Sequence, residues 1–176
     1  MILLDAGPSD WVLFFGHFHP VLVHLPVGML VLAFLMYFFS KEPNEGLRQK
    51  SVAIIFLWAS LGAFISCAMG WALSQTGEYD EDTLFFHQWL GISTGVISAA
   101  LAYMAKFWSD EKTMMKLFKP VLWVSLILIT VTGHLGGNLT HGSDYLTAYL
   151  PQPMRTWVGM EARAEAAEDG AIIPKI

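Results

Sequence analysis

The chain has 176 residues, of which 55% are hydrophobic and 14% are charged, and its formal net charge is −5. Soluble domains are usually about 45–50% apolar and about 25% charged, so this composition indicates an integral membrane protein of one domain. The single cysteine, Cys67, excludes an internal disulfide and a cysteine-rich zinc site, and the chain has no CxxCH motif for covalent haem attachment. We expect no nucleic-acid partner.

Four apolar runs reach the roughly 20 residues that a helix needs to cross a bilayer. The runs cover residues 14–39, 52–74, 84–106 and 120–139. Because the connections are short, consecutive helices should be antiparallel neighbours in an all-α four-helix bundle over residues 1–148, followed by a polar tail over 149–176. Pro120 suits the first turn of the last helix. The acidic start lacks the basic residues of a secretory signal, so we expect the first helix to remain in the mature protein.

Lysine and arginine lie on one side of this predicted bundle. The connection at 40–51 contains Lys41, Arg48 and Lys50, and the connection at 106–119 contains four lysines. The connection at 75–83 contains four acidic residues and no base. Since basic loops stay in the cytoplasm, we expect both termini to be periplasmic in a multi-pass protein surrounded by the lipid of the bacterial inner membrane.

With this topology all six histidines fall in the periplasmic half. Counted from the cytoplasmic helix ends at ~1.5 Å per residue, the heights are about 21–24 Å for His24 and His134, about 28 Å for His87, and about 30 Å or more for His17 and His19. An imidazole in hydrocarbon is costly without a partner, so this clustering predicts a bound haem or metal. Membrane cytochromes b hold haem between imidazoles from facing helices. A single interfacial histidine can also serve only as an anchor.

Small residues accompany the histidines. Gly28 follows His24 by four residues and Gly91 follows His87 by four, which leaves room on one helix face for a flat macrocycle. HLPVG and HQWLG are similar enough to suggest a duplicated two-helix unit. Further stripes of small residues occur in the second and third runs, at Gly62, Ser66 and Gly70 and at Thr94, Gly95, Ser98 and Ala102. Such spacing also serves plain helix packing, and both interpretations stay open.

The segment GHLGGNLTHGSDYL, residues 133–146, closes the fourth run. Gly136 and Gly137 permit a helix end or a tight turn, after which His141 would return toward the outer surface. Asn138, Thr140 and Asp144 could orient an imidazole through its second nitrogen.

Three segments, FGHFHPVLVHLPVG, HQWLG and GHLGGNLTHGSDYL, together resemble an uncharacterised bacterial four-helix membrane domain with a His-Pro-x-x-x-His-x-Pro-x-Gly start. The resemblance covers residues 14–148. Domains of this family stand in front of, or are encoded near, c-type cytochrome domains, so the resemblance implies a cytochrome c partner, here as a separate subunit. The residues that it implies for function are His19, His24, Gly28, His87, Gly91, His134, Gly136, Gly137 and His141.

We therefore expect a subunit that binds one or two b haems and transfers electrons between the quinol pool and a periplasmic c-type cytochrome, within a larger respiratory complex. The expected axial ligands come from His24, His87 and His134, with His19 and His141 as a second pair or as propionate partners. An enzymatic role and a quinone site are left open by the sequence.

Two other hypotheses remain at this point. The same histidines, with His24, His87 and His134 as ligands, could bind copper together with methionines such as Met29, Met69 and Met160. Alternatively, the protein is a cofactor-free structural or anchoring subunit whose histidines only form hydrogen bonds between helices.

Overall fold

The computed structural model describes residues 8–41, 43–77, 79–107, 112–142, 147, 150–151 and 154, without the side chains of 112, 113 and 115. Within these residues the chain is helical and contains no strand. Its helices are α1 (Asp10–Gly16), α2 (His19–Leu22), α3 (His24–Phe39), α4 (Glu45–Ser74), α5 (Glu81–Phe107) and α6 (Lys112–His141). The tail predicted over 149–176, apart from three residues, lies outside the described part, as do Asp144 and Met160.

In the described part of the chain, four helical stretches are long and apolar enough to cross a membrane, which confirms the four predicted runs. They are Asp10–Phe39, Glu45–Ser74, Glu81–Phe107 and Lys116–His141. Helices α1, α2 and α3 together form the first span, and α4, α5 and α6 provide the second, third and fourth. The architecture is that of a multi-pass, all-helical protein.

Two prolines divide the first span into its three helices. A proline has no N–H, so Pro20 leaves the carbonyl of Gly16 without its regular helical donor, and Pro26 does the same to the carbonyl of Leu22. The helix is interrupted accordingly between α1 and α2 and again at Val23. Helices α1 and α2 can thereby pack on α4 independently of α3.

The hydrophobic core lies at one end of the bundle, near the α3–α4 and α5–α6 connections, which we call the core end. All four spans contribute fully or almost fully buried side chains there: Leu30, Ala33, Val52, Phe56, Ala59, Leu101, Ala105, Phe118 and Leu122. Ring contacts also join the first span to the fourth at this end. Tyr37 lies 4.9 Å from Phe118, and Phe34 lies 5.0 Å from Trp123, between ring centroids.

Two details of the fourth span differ from the prediction. Helix α6 begins at Lys112, so Pro120 lies inside the helix rather than in its first turn. The helix also continues through Gly136 and Gly137 to His141. Gly142 follows the last helical residue, its φ of +88° suits glycine, and its N–H donates to the Asn138 carbonyl at 2.9 Å.

Candidate functional site

A cavity of about 580 Å³ lies at the opposite end of the bundle, the histidine end, between all four spans. Its volume is within the range of roughly 300–1,000 Å³ that is typical of small-molecule and cofactor sites. Most of its lining is apolar or small, and four histidines contribute to it: His19, His24, His87 and His141. The described lining residues include no carboxylate and no lysine or arginine.

His19 begins α2 and lies against the second span. Its Nδ1 is 2.8 Å from the carbonyl oxygen of Ser66, and the Ser66 hydroxyl is 3.3 Å from the same nitrogen. Because a carbonyl only accepts, Nδ1 carries the proton and Nε2 keeps its lone pair. A Cβ atom at Gly70 would lie 2.8 Å from Cε1 of His19, so the ring fits here only because residue 70 is glycine.

His87 has the same arrangement between the third and fourth spans. Its Nδ1 donates to the carbonyl oxygen of Thr132 at 3.0 Å, which again leaves Nε2 as the nitrogen with a lone pair. A Cβ atom at Gly136 would lie 3.0 Å from Cε1 of His87. Each ring is thus held by a backbone carbonyl and packed on a glycine of the neighbouring span.

The two held rings lie close together across the cavity. The ring centroids of His19 and His87 are 6.1 Å apart, and the ring planes are at 88° to each other. A metal–nitrogen distance of about 2 Å, plus about 1 Å from that nitrogen to the ring centre, places the centres of two imidazoles on opposite sides of one metal about 6 Å apart. A hydrogen bond from the second ring nitrogen to a backbone carbonyl is also usual for histidines that bind metals.

We call each held ring, with its carbonyl and its glycine, a half-site, and the spacing of the two half-sites in the sequence indicates a repeated two-helix unit. An interval of 66 residues separates Ser66 from Thr132 and Gly70 from Gly136, and the same interval relates buried positions of α4 to buried positions of α6: Val52 to Phe118, Phe56 to Leu122 and Ala59 to Ser125. His19 and His87 are 68 residues apart, as are the buried pairs Leu30 and Ser98, and Ala33 and Leu101. The structural counterpart of His87 is therefore His19, whereas HLPVG and HQWLG had suggested His24.

Several predicted residues reach the cavity without joining the ring pair. His24 lines it but is exposed, and its Nδ1 donates to the Pro20 carbonyl of its own span at 2.6 Å. Gly91, Gly137 and His141 also line the cavity. A Cβ atom at Gly91 would lie 3.4 Å from the Cys67 sulfur, so this glycine allows α4 and α5 to approach closely.

Other predicted residues lie away from it. His134 is exposed, is not part of the lining, and has its Nε2 3.4 Å from the side-chain nitrogen of Asn138. Gly28 is also exposed, and a Cβ atom there would meet no atom within 4 Å. His24, His87 and His134 are therefore not brought together. Among the described residues no group of three or more His, Cys, Asp or Glu side chains could hold a metal ion.

The accepting carbonyls of Ser66 and Thr132 were not identified from the sequence, because every residue carries a carbonyl. The available signal was the glycine four residues later in each case, at Gly70 and Gly136. No family model, curated protein or solved structure matches the chain. The site is therefore interpreted from its own chemistry.

Proposed function

We propose that the protein is a membrane cytochrome of the b type, with one haem b held between His19 and His87. The observation that carries this proposal is the ring pair itself, with its 6.1 Å separation and its two carbonyl-bound Nδ1 atoms. A bare metal ion would need further protein ligands, whereas a porphyrin iron brings its own ring of nitrogens and needs only axial partners. One haem is proposed because the described residues contain one such pair.

The polarity of the cavity also fits a haem, which has one apolar edge and one edge with two carboxylates. Toward the core end the lining includes Leu30, Ala63 and Ile129. Toward the α4–α5 connection it includes polar side chains, at Ser74, Tyr79, Thr140 and His141. His141 is the candidate partner of the propionates, because the Thr140 hydroxyl already donates to the carbonyls of Gly136 and Gly137. His24, His87 and His134 do not form the proposed ligand group, because His134 lies outside the cavity.

The chemistry that a haem would supply is transfer of one electron at a time. Oxidation of one quinol releases two electrons and two protons, and two ferric c-type cytochromes can each accept one electron. We propose this reaction, with quinol in the membrane as the donor. The cytochrome would be a separate periplasmic subunit or part of a larger respiratory complex.

The distribution of charge supports an orientation for this reaction. The bases at Lys41, Arg48 and Lys50 are at the core end of the bundle, whereas the acidic α4–α5 connection is at the histidine end. Under the positive-inside rule the histidine end and both termini would face the periplasm of a bacterial inner membrane. Electrons would then leave on the side where a soluble cytochrome is found.

The test is a reduced-minus-oxidised spectrum and a pyridine haemochrome of the purified protein, together with metal analysis. We expect a b-type α-band and about one haem per chain. Stoichiometric copper without haem would instead favour a metal-binding subunit, which the position of Cys67 in the cavity lining would suit. Absence of both haem and metal would refute the proposal in favour of an anchoring subunit.

A further inference from the structure

Exposed residues of the first and fourth spans, His24, Val27 and Gly133, line the cavity, which indicates that it is open between these two spans. The ring contacts that join these spans lie at the core end, where Phe34 and Phe38 are 5.0 and 6.0 Å from Trp123. Val27 is seven residues before Phe34 and His24 is fourteen before Phe38, so they continue the same helix face toward the histidine end. There they line the cavity, and Val27 is 42% exposed.

The facing part of α6 has almost no side-chain volume. Gly133 and Gly137 line the cavity, and a Cβ atom at Gly133 would meet no atom within 4 Å. One turn before Gly133, a shallow and largely open groove on the surface of α6 begins and runs toward the core end. It is lined by Trp123, Leu126, Ile127, Thr130 and Val131. We call the opening between His24, Val27 and Gly133 the lateral gap.

A molecule that enters the lateral gap must come from lipid, because the gap lies between two helices whose outward side chains are apolar and exposed. Leu25 and Val31 flank it on the first span, and Ile127 and Val131 lie on the fourth. All four are between 41% and 62% exposed. The histidine pair lines the same cavity, so a molecule that enters the gap comes close to the proposed ligands.

One polar side chain stands at this opening. The Nδ1 of His24 donates to the Pro20 carbonyl, so its Nε2 carries a lone pair that can accept a hydrogen bond from a hydroxyl. A ligand with a flat ring, a hydroxyl donor and an apolar tail matches the gap, this acceptor and the groove on α6. We infer that the lateral gap is the binding site of a lipid-soluble quinol, with its ring beside His24 and its tail along the groove. This inference rests on the proposed function, which supplies the electron acceptor.

The experiment compares two glycine variants of the whole protein in lipid nanodiscs. Gly133→Leu fills the gap, and Gly28→Leu is the matched control, because Gly28 is also in open space but outside the cavity. The probe is a photoreactive azidoquinol with a decyl tail, kept in its reduced form so that its hydroxyl can donate to His24, and labelled peptides are identified by mass spectrometry. We expect labelling near His24 and Gly133, reduced roughly tenfold in Gly133→Leu and unchanged in Gly28→Leu.

Haem content is measured on the same samples by pyridine haemochrome, so that the two proposals are tested separately. Equal labelling of the two variants, or labelling confined to other peptides, would overturn the quinol site even if haem is present. The quinol site would also be overturned if the probe labelled no peptide of the lateral gap and phospholipid occupied the gap instead. A wild type labelled in the gap but devoid of haem would support the site and refute the cytochrome assignment.

Discussion

The histidines of this chain differ in which helix provides the carbonyl that accepts the hydrogen bond from the protonated ring nitrogen. His17 and His24 donate Nδ1–H to carbonyls four residues earlier, so their hydrogen bonds remain within the first span. His19 and His87 donate instead to carbonyls of a neighbouring span, at Ser66 and Thr132. A ring tied to two helices is fixed in position, which is the condition for a ligand that must hold its geometry.

The glycine that packs against the His19 ring, Gly70, gives a prediction about haem binding. Gly70→Ala should displace His19, because the new Cβ would lie 2.8 Å from Cε1. We expect partial loss of haem or a high-spin component in the absorption spectrum. Gly28→Ala is the matched control and should keep the spectrum while raising helix stability by about 0.5–1 kcal/mol. Identical spectra for the two variants would show that His19 is not a ligand.

At the scale of the elements, the interrupted first span is what brings His19 to α4. Gly16 is buried where α1 meets the end of α4, and a Cβ atom there would lie 2.6 Å from the Leu73 backbone nitrogen. The breaks between α1 and α2 and at Val23 let α1 and α2 pack there while α3 follows the core. The histidine of the first half-site is thereby placed opposite that of the second.

Gly16→Ala tests this packing. Backbone atoms cannot rotate away from the new methyl group, so we expect a loss of about 1–3 kcal/mol in unfolding free energy, as is typical of overpacking. Chemical denaturation in detergent micelles measures it, with Gly28→Ala as the control. A Gly16→Ala protein as stable as the control would mean that α1 does not pack tightly on α4.

The start of α5 gives a prediction about pH. The carboxylate of Asp80 accepts from the backbone N–H of Thr83 at 2.8 Å, and hydrogen bonds from the Thr83 side chain and backbone hold the pKa of Asp80 below its ordinary value of 3.8. Because the pKa of Asp80 is lower in the folded protein than in the unfolded chain, the ionised carboxylate stabilises the folded state. This stabilisation is present at neutral pH and is lost as acid protonates the carboxylate.

We therefore expect Asp80→Ala to lower the thermal unfolding temperature at pH 7 and to have a progressively smaller effect as the pH falls below 3.8. Asp82→Ala, in the same first turn, is the control and should cause a smaller change at pH 7 because the cap remains. Equal effects of the two substitutions at neutral pH would contradict the role of Asp80 as the cap of α5.

Hydropathy predicted the four spans well, because a helix in lipid must be apolar along its length whatever it packs against. Counting residues also placed His19 and His87 at nearly the same height. The pairing could not be predicted, since it depends on two breaks in the first span and on two carbonyls that no residue type reveals. The glycines four residues after His24 and His87 made these two histidines look equivalent in the repeat, whereas the residue that corresponds to His87 is His19.

At the scale of the whole molecule, a repeated two-helix unit explains why one half-site stands on each side of the cavity. The first and second spans supply His19, Ser66 and Gly70, and the third and fourth supply His87, Thr132 and Gly136. All six histidines lie toward one end of the bundle, so a single haem there would not carry electrons across the full membrane. It would connect the lipid phase with one aqueous side.

The proposed orientation is tested by labelling single cysteines. In a Cys67→Ser background, Thr76→Cys lies at the histidine end and Lys41→Cys at the core end, and both positions are exposed. A membrane-impermeant maleimide should label Thr76→Cys in spheroplasts, and Lys41→Cys only after the membrane is broken. The reverse pattern would place the histidine end in the cytoplasm and exclude a periplasmic cytochrome as the direct partner.

The most direct measurement is the low-spin haem spectrum of four single variants, each compared with the wild-type protein after matched purification. If His19 and His87 hold the iron, His19→Ala and His87→Ala lose the low-spin b-type spectrum, whereas His24→Ala and His134→Ala retain it. Loss of the spectrum in His24→Ala or His134→Ala, with His19→Ala unchanged, would contradict the assignment of the ligands.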